Sequence, residues 1–162
     1  MSKAISAFEF EFRTITGEAL PLSRFEGNPV LVVNTASQCG LTPQYRELQG
    51  LWEKYRARGL TVIGVPSNDF GAQEPGTEHE IAEFCEVNYA VTFPLTAKQQ
   101  VIGADAHPFY RWACEVAGED AAPRWNFHKY LVGPTGELAQ VYPSKMNPLD
   151  TAIIGEIERL LG

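Results

Sequence analysis

Cysteine is scarce in this chain. Three residues of 162, Cys39, Cys85 and Cys114, are too few and too odd in number for a disulfide framework. Free thiols suit a reducing compartment. Basic residues are few as well: 13 Lys and Arg against 20 Asp and Glu leave a net charge of −7. They are scattered, whereas nonspecific nucleic-acid binding needs clustered cations to neutralise phosphates, so that class is excluded. No stretch reaches the roughly 20 apolar residues that cross a bilayer. The N-terminal "MSKAISAFEFEFRTITGEA" lacks an apolar core of signal-peptide length. These absences predict a cytoplasmic protein without a membrane span. His79, His107 and His128 stand far apart without His-x-x-x-His spacing, so neither a metal site nor another cofactor is expected. His79 is expected to be exposed, His107 to cap or pack, and His128 to face solvent. Repeats, linkers and low-complexity tracts are also missing, and residues 1–162 read as one domain.

What is present is an alternation of strand and helix signals. Residues 8–14, "FEFEFRT", have period two and read as a half-exposed strand; "TGEALPL" turns back through Gly17 to make an N-terminal hairpin. Residues 29–36, "PVLVVNTA", are a continuous β-branched run, the mark of a strand buried on both faces. Over residues 43–58, Tyr45, Leu48, Leu51, Trp52 and Tyr55 recur at three or four, an amphipathic helix that Gly59 ends. "LTVIGVPS" from Leu60 is a second buried strand and completes a right-handed βαβ unit. Thr77 and Glu80 form a capping box that opens a helix to about Tyr89, along which lie Ile81, Phe84, Cys85 and Val87. "VTFPL" is a short extended piece, and the residues around Lys98 are a surface loop. "DAHPFYRWACEVAG" starts a further helix, in which Cys114 reads as packing. Residues 129–132 are a strand, Gly133 to Gly136 a turn, and residues 137–141 pair back. Asn147 as N-cap and Pro148 at the first helical position open the last helix, whose apolar face is Ile153, Ile154, Ile157, Leu160 and Leu161. The order predicts an α/β, thioredoxin-like fold: a central mixed β-sheet flanked by helices, with an N-terminal β-hairpin.

Against this scaffold one segment raises a question. "NTASQCGLTPQY", residues 34–45, places Cys39 after the first buried strand and before a helix. Open α/β sheets bind ligands at that edge. A helix N-terminus there offers unpaired N–H groups and partial positive charge, which favour a thiolate. From position alone, Cys39 is either a nucleophile or a small hydrophobe at a strand end. Thr42 stands where a dithiol motif needs its second cysteine, so thioredoxin-type exchange through this turn is excluded. "FGAQEPGT" carries Gln73 and "RWNFHKYLV" carries Trp125 and Asn126, both near the same sheet edge. These side chains offer amide and indole N–H donors that do not titrate, suited to holding a thiolate and a departing hydroxide. The plainer alternatives are loop capping for Gln73 and Asn126, and core packing for Trp125.

Together these stretches resemble the glutathione peroxidase family. "NTASQCGLTPQY" is similar to its active-site segment, "PSNDFGAQEPG" to its glutamine loop and "WNFHKYLV" to its Trp-Asn strand. The resemblance implies reduction of hydrogen peroxide and organic hydroperoxides to water or alcohol. It implies Cys39 as peroxidatic residue, with Gln73, Trp125 and Asn126 completing a catalytic tetrad. The short bridge "EDAAPR" stands where tetrameric members carry a long insertion, which implies a monomer with an open site. Thioredoxin-dependent members have a resolving cysteine on the helix after the glutamine loop. Cys85 lies there, one residue before the position of the plant-type members, where Glu86 falls; one helical residue is a rotation of about 100°. Cys85 is thus either a resolving cysteine or a core residue beside Phe84. The expected reductant is thioredoxin or glutathione. The alternative reading is a peroxide-sensing relay that passes oxidation to a partner.

Overall fold

A period-two pattern at the start of the chain yields a strand shorter than the pattern. In the computed structural model, which describes residues 6–162, Ala7–Glu9 is a 3-10 turn and only β1 (Glu11–Arg13) is extended. β1 pairs antiparallel with β2 (Ala19–Pro21) as the expected hairpin. The two apolar runs become β3 (Val30–Thr35) and β4 (Thr61–Pro66), every residue of both buried. Between them lies helix α1 (Gln44–Tyr55), extended by a 3-10 turn to Arg58 and closed at Gly59, whose φ of 119° suits glycine. Then come α2 (Glu78–Tyr89), α3 (Pro108–Ala117), β5 (Lys129–Val132), β6 (Leu138–Tyr142) and α4 (Thr151–Leu161).

The main sheet has the order β4-β3-β5-β6. β3 runs parallel to β4 and antiparallel to β5, and β5 antiparallel to β6, so the sheet is mixed. Strand parity assigns its two faces. Val30, Val32, Tyr130 and Val132 join α3 and the N-terminal hairpin in one apolar cluster. Leu31, Val33 and Leu131 join α1, α2 and α4 in the other. This double burial is why β3 and β4 read as unbroken apolar runs.

Some expectations are corrected. His128 does not face solvent: it is buried, edge-on to Tyr130 at 4.8 Å, and burial lowers its pKa to about 4. It shares strand parity with Tyr130 and Val132, so its ring lies on the same covered face of the sheet. The last helix does not open at Asn147. The Asn147 side chain accepts from Leu149 N–H in a preceding turn, and Asp150 is the N-cap, accepting from Ala152 N–H. Val87 lies on the exposed side of α2 rather than with Ile81 and Cys85. His107 does both things expected of it: Nδ1 caps α3 through Phe109 N–H, and the ring stacks on Phe12 at 4.0 Å. His79 is exposed. Cys114 is half-buried on α3. Among the described residues no helix is long and apolar enough to cross a membrane.

Candidate active site

The turn that carries Cys39 is built by Thr42. Its hydroxyl donates to Ala36 O at 2.8 Å and accepts from Cys39 N–H at 3.0 Å, tying the turn back to the end of β3. Thr42 N–H closes the loop onto Cys39 O at 3.0 Å. The residue that excludes a dithiol is therefore the residue that shapes the turn. Cys39 is buried to 8% exposure, and Leu41 N–H points at its sulfur from 3.3 Å. That donor belongs to the turn itself. α1 begins at Gln44, so the sulfur meets a tight turn first and the helix only beyond it.

Gln73 joins this turn to the other segments. Its carbonyl accepts from Gln38 N–H at 3.0 Å, fastening the glutamine loop to the residue before Cys39. Its side-chain Oε1 accepts from Asn126 Nδ2 at 3.0 Å. With Oε1 so engaged, the Nε2 amide is the donor end of Gln73. Asn126 is fully buried, and its Oδ1 has no protein partner. Asn126 thus spends one N–H on orienting Gln73, where the sequence offered either a donor to the reaction or a loop cap.

Trp125 is 37% exposed, and the core role falls to Trp112 at 3%. The Trp125 ring lies 6.0 Å from that of Phe70, and a β-carbon built on Gly71 would sit 3.2 Å from the indole. The indole therefore flanks the glutamine loop. The structure brings Gln73 directly to Asn126, Trp125 against the same loop, and that loop to the Cys39 turn.

The backbone here is strained on both sides. Among the described residues three non-glycines have φ in the left-handed region. Two of them are Ala72, just before Gln73, at 53°, and Phe127, just after Asn126, at 69°. Such conformations cost on the order of 1–2 kcal/mol each and persist where the surroundings enforce them. Asn34 enforces the second: its Nδ2 donates to Trp125 O at 3.1 Å and its O accepts from Phe127 N–H at 2.6 Å. Asn34 was visible in the first motif without an assignable role, because its partners lie some ninety positions away.

A cleft of ≈400 Å³ opens beside the Cys39 turn, lined by Ser37, Gln38, Glu74, Gly76, Ile81 and Phe84. Glu74 is 1% exposed, and burial raises its carboxyl pKa. Cys85 lies in the apolar cluster with Tyr45, Leu48 and Phe93, 1% exposed, and burial pushes its thiol up to about 11. In this conformation Cys85 is a packed, protonated thiol. None of the three cysteines is in a disulfide.

A thiol at a strand end, with non-titrating donors on the two adjoining loops, is the equipment of a thiol-based redox enzyme on a thioredoxin-like frame. Similarity to known proteins narrows the class. The glutathione peroxidase family model matches residues 7–114. The glutathione peroxidase homolog BsaA of Halalkalibacterium halodurans is 45% identical over 159 residues, covering 97% of this chain and 100% of that one. The hydroperoxy fatty acid reductase gpx1 of Synechocystis is 43% identical, covering 95% of each. The crystal structure of T. cruzi GPX1 superimposes with a TM-score of 0.77 at 28% identity, covering 97% of each chain. The chain belongs to the glutathione peroxidase family and is a thiol peroxidase.

Proposed function

We propose that Cys39 is the peroxidatic nucleophile and that Gln73, Trp125 and Asn126 serve it. The Cys39 thiolate attacks the terminal oxygen of a hydroperoxide. The O–O bond breaks and its electron pair leaves on the other oxygen. That oxygen takes up a proton to become water or an alcohol, and Cys39 becomes a sulfenic acid. The Gln73 amide and the Trp125 indole steady the charge on sulfur and on the leaving oxygen, while Asn126 holds Gln73 in register. The observation that carries this reading is the double use of Gln73, bonded through its backbone to the nucleophile's turn and through its side chain to Asn126.

The substrates are hydrogen peroxide and organic hydroperoxides; the cleft beside the turn and the fatty-acid hydroperoxide named for the cyanobacterial relative support the second class. The reductant is thioredoxin in preference to glutathione. Cys85, released by local opening of α2, condenses with the sulfenic acid and expels water, and a dithiol partner reduces the resulting disulfide. The short bridge between α3 and β5 supports a monomer, and three free thiols support a reducing, cytoplasmic setting.

Peroxide consumption measured side by side with thioredoxin and with glutathione tests the scheme. Cys39→Ser abolishes turnover with both, and substantial remaining activity would sink the assignment. Cys85→Ser selectively loses thioredoxin-supported turnover; unchanged turnover removes Cys85 from the scheme.

A further inference from the structure

Lys129 is fully buried in β5, the central antiparallel strand. It shares strand parity with Leu131 and so faces α1 rather than α3. A lysine here is costly: burial alone brings its amine down to about 7. An apolar residue of similar volume would pack without that penalty. Its nitrogen makes two bonds, to Phe127 O at 2.6 Å and to Ser144 O at 3.1 Å. Phe127 is the left-handed residue that follows Asn126. Ser144 lies just past β6, and its carbonyl accepts a second bond, from Gln44 Nε2 at 2.8 Å. Gln44 is buried and is the first residue of α1, at the far end of the Cys39 turn. One carbonyl, with both lone pairs occupied, thus holds the helix behind the nucleophile and the strand behind the donors.

We propose that Lys129 and Gln44 are positioning residues for peroxide reduction, acting through their shared hold on Ser144 O to set the Cys39 turn against the Trp125–Asn126 segment. Neither residue touches the reacting atoms. Lys129 fixes the carbonyl of Phe127 while Asn34 fixes its N–H, so the reversal that aims Asn126 at Gln73 is gripped from both sides. Gln44 fixes where α1 starts, and with it the far end of the Cys39 turn. A neutral amine keeps two hydrogens, enough for both carbonyls, so the clamp does not depend on the charge of Lys129. The inference rests on the assignment of Cys39, Gln73, Trp125 and Asn126 made above.

The test compares two reactions of the same sulfur in the full-length protein. Alkylation by iodoacetamide needs an accessible Cys39 thiolate. Reduction of hydrogen peroxide needs in addition the donors that receive the leaving oxygen. Lys129→Met removes both N–H donors at nearly constant volume. It is expected to slow single-turnover oxidation of Cys39 about tenfold to a hundredfold, the scale of an ångström-sized misplacement, with alkylation changed less than about twofold. Lys129→Gln, which retains an NH₂, is expected to recover a large part of the loss. Gln44→Met, at a helix end and readily accommodated, is expected to show the same split. The double variant should be no slower than Lys129→Met alone, because Gln44 acts through the Ser144 carbonyl that Lys129 also holds. A folded Lys129→Met or Gln44→Met protein that reduces peroxide at the native rate overturns the proposal, as does a parallel fall in both reactions. Should Lys129→Met not fold, Gln44→Met decides alone. Failure of Cys39→Ser to abolish turnover would instead strike the underlying assignment; native Lys129→Met rates beside an impaired Gln73→Leu protein would strike only this inference.

Discussion

Gly71 occupies the tightest point of the glutamine loop. Its φ of 67° is left-handed, and any β-carbon would lie 3.2 Å from the Trp125 ring and 3.5 Å from the Gln73 side chain. Gly71→Ala therefore carries a backbone penalty of about 1 kcal/mol and a push against the indole. The expected outcome is a small fall in thermal stability with a disproportionate loss in the rate of Cys39 oxidation; a variant that oxidises at the native rate would detach Trp125 from the reaction. His128 gives a second test at this scale. Its folded pKa of about 4 lies below the ordinary 6.5 because burial penalises the charged ring. Between those values the unfolded chain binds the extra proton, so stability rises with pH through this window and is lost as pH falls from 6.5 to 4. The full loss is about 3 kcal/mol. Chemical denaturation at pH 7 and pH 4 should show the native protein losing about that much more than His128→Gln, in which the carboxylates common to both cancel. The residues that declared themselves in the sequence were those whose chemistry is unusual where they stand: a cysteine past a strand end, amides and an indole at loop ends. The structural roles of Asn34, Glu74, Thr42 and Lys129 did not, because each acts by closing a backbone bond or filling a buried position that only the folded chain brings together.

At the scale of elements, α2 is held more loosely than α1. Only Ile81 and Cys85 of its twelve residues are buried, against six in α1, which has the same length. It starts at a complete capping box, with Thr77 Oγ1 accepting from Glu80 N–H at 3.2 Å and Glu80 Oε1 from Thr77 N–H at 2.8 Å. With so little buried area, the cap is a large share of what keeps the helix closed. Thr77→Ala should cost about 1 kcal/mol, which is about a fivefold increase in the open population. Amide exchange within α2 is expected to speed by that factor while α1 is unaffected, and thioredoxin-supported turnover limited by release of Cys85 should rise with it. Equal acceleration in α1 would show that the two helices open as one unit. The capping box was legible because its bonds are local, between residues three apart. The start of α4 was misplaced for a related reason: "NPLD" offers two side chains able to cap, and the choice of Asp150 over Asn147 depends on where Ile153 must point to reach the core. β3 and β4 were legible because burial on both faces leaves unbroken apolar runs, Val30 to Val33 before Asn34 in β3 and Val62 to Val65 after Thr61 in β4.

For the molecule as a whole, oxidation sets two quantities against each other. A bond between Cys39 and Cys85 requires α2 to leave its cluster, since Cys85 is packed with Tyr45 and Phe93 beneath the helix. Withdrawing Ile81 and Cys85 from the core costs about 2–4 kcal/mol. Closing the chain between the two cysteines removes unfolded-state entropy worth about 4 kcal/mol. The two nearly cancel, so the oxidised protein should melt within a few degrees of the reduced one. The structural difference is expected to be confined, with the pairing of β3, β4 and β5 and the sheet contacts of α1, α3 and α4 retained. Oxidising the protein with one equivalent of hydrogen peroxide and following amide exchange by mass spectrometry should therefore show protection lost across Glu78–Tyr89 and retained in β3 and α4. Limited proteolysis should cut the oxidised form within α2, and thioredoxin should restore resistance. Oxidised protein in which α2 stays protected would mean that Cys85 never reaches Cys39. The sulfenic acid would then be reduced by a thiol arriving through the cleft beside the Cys39 turn, and glutathione rather than thioredoxin would be the better donor.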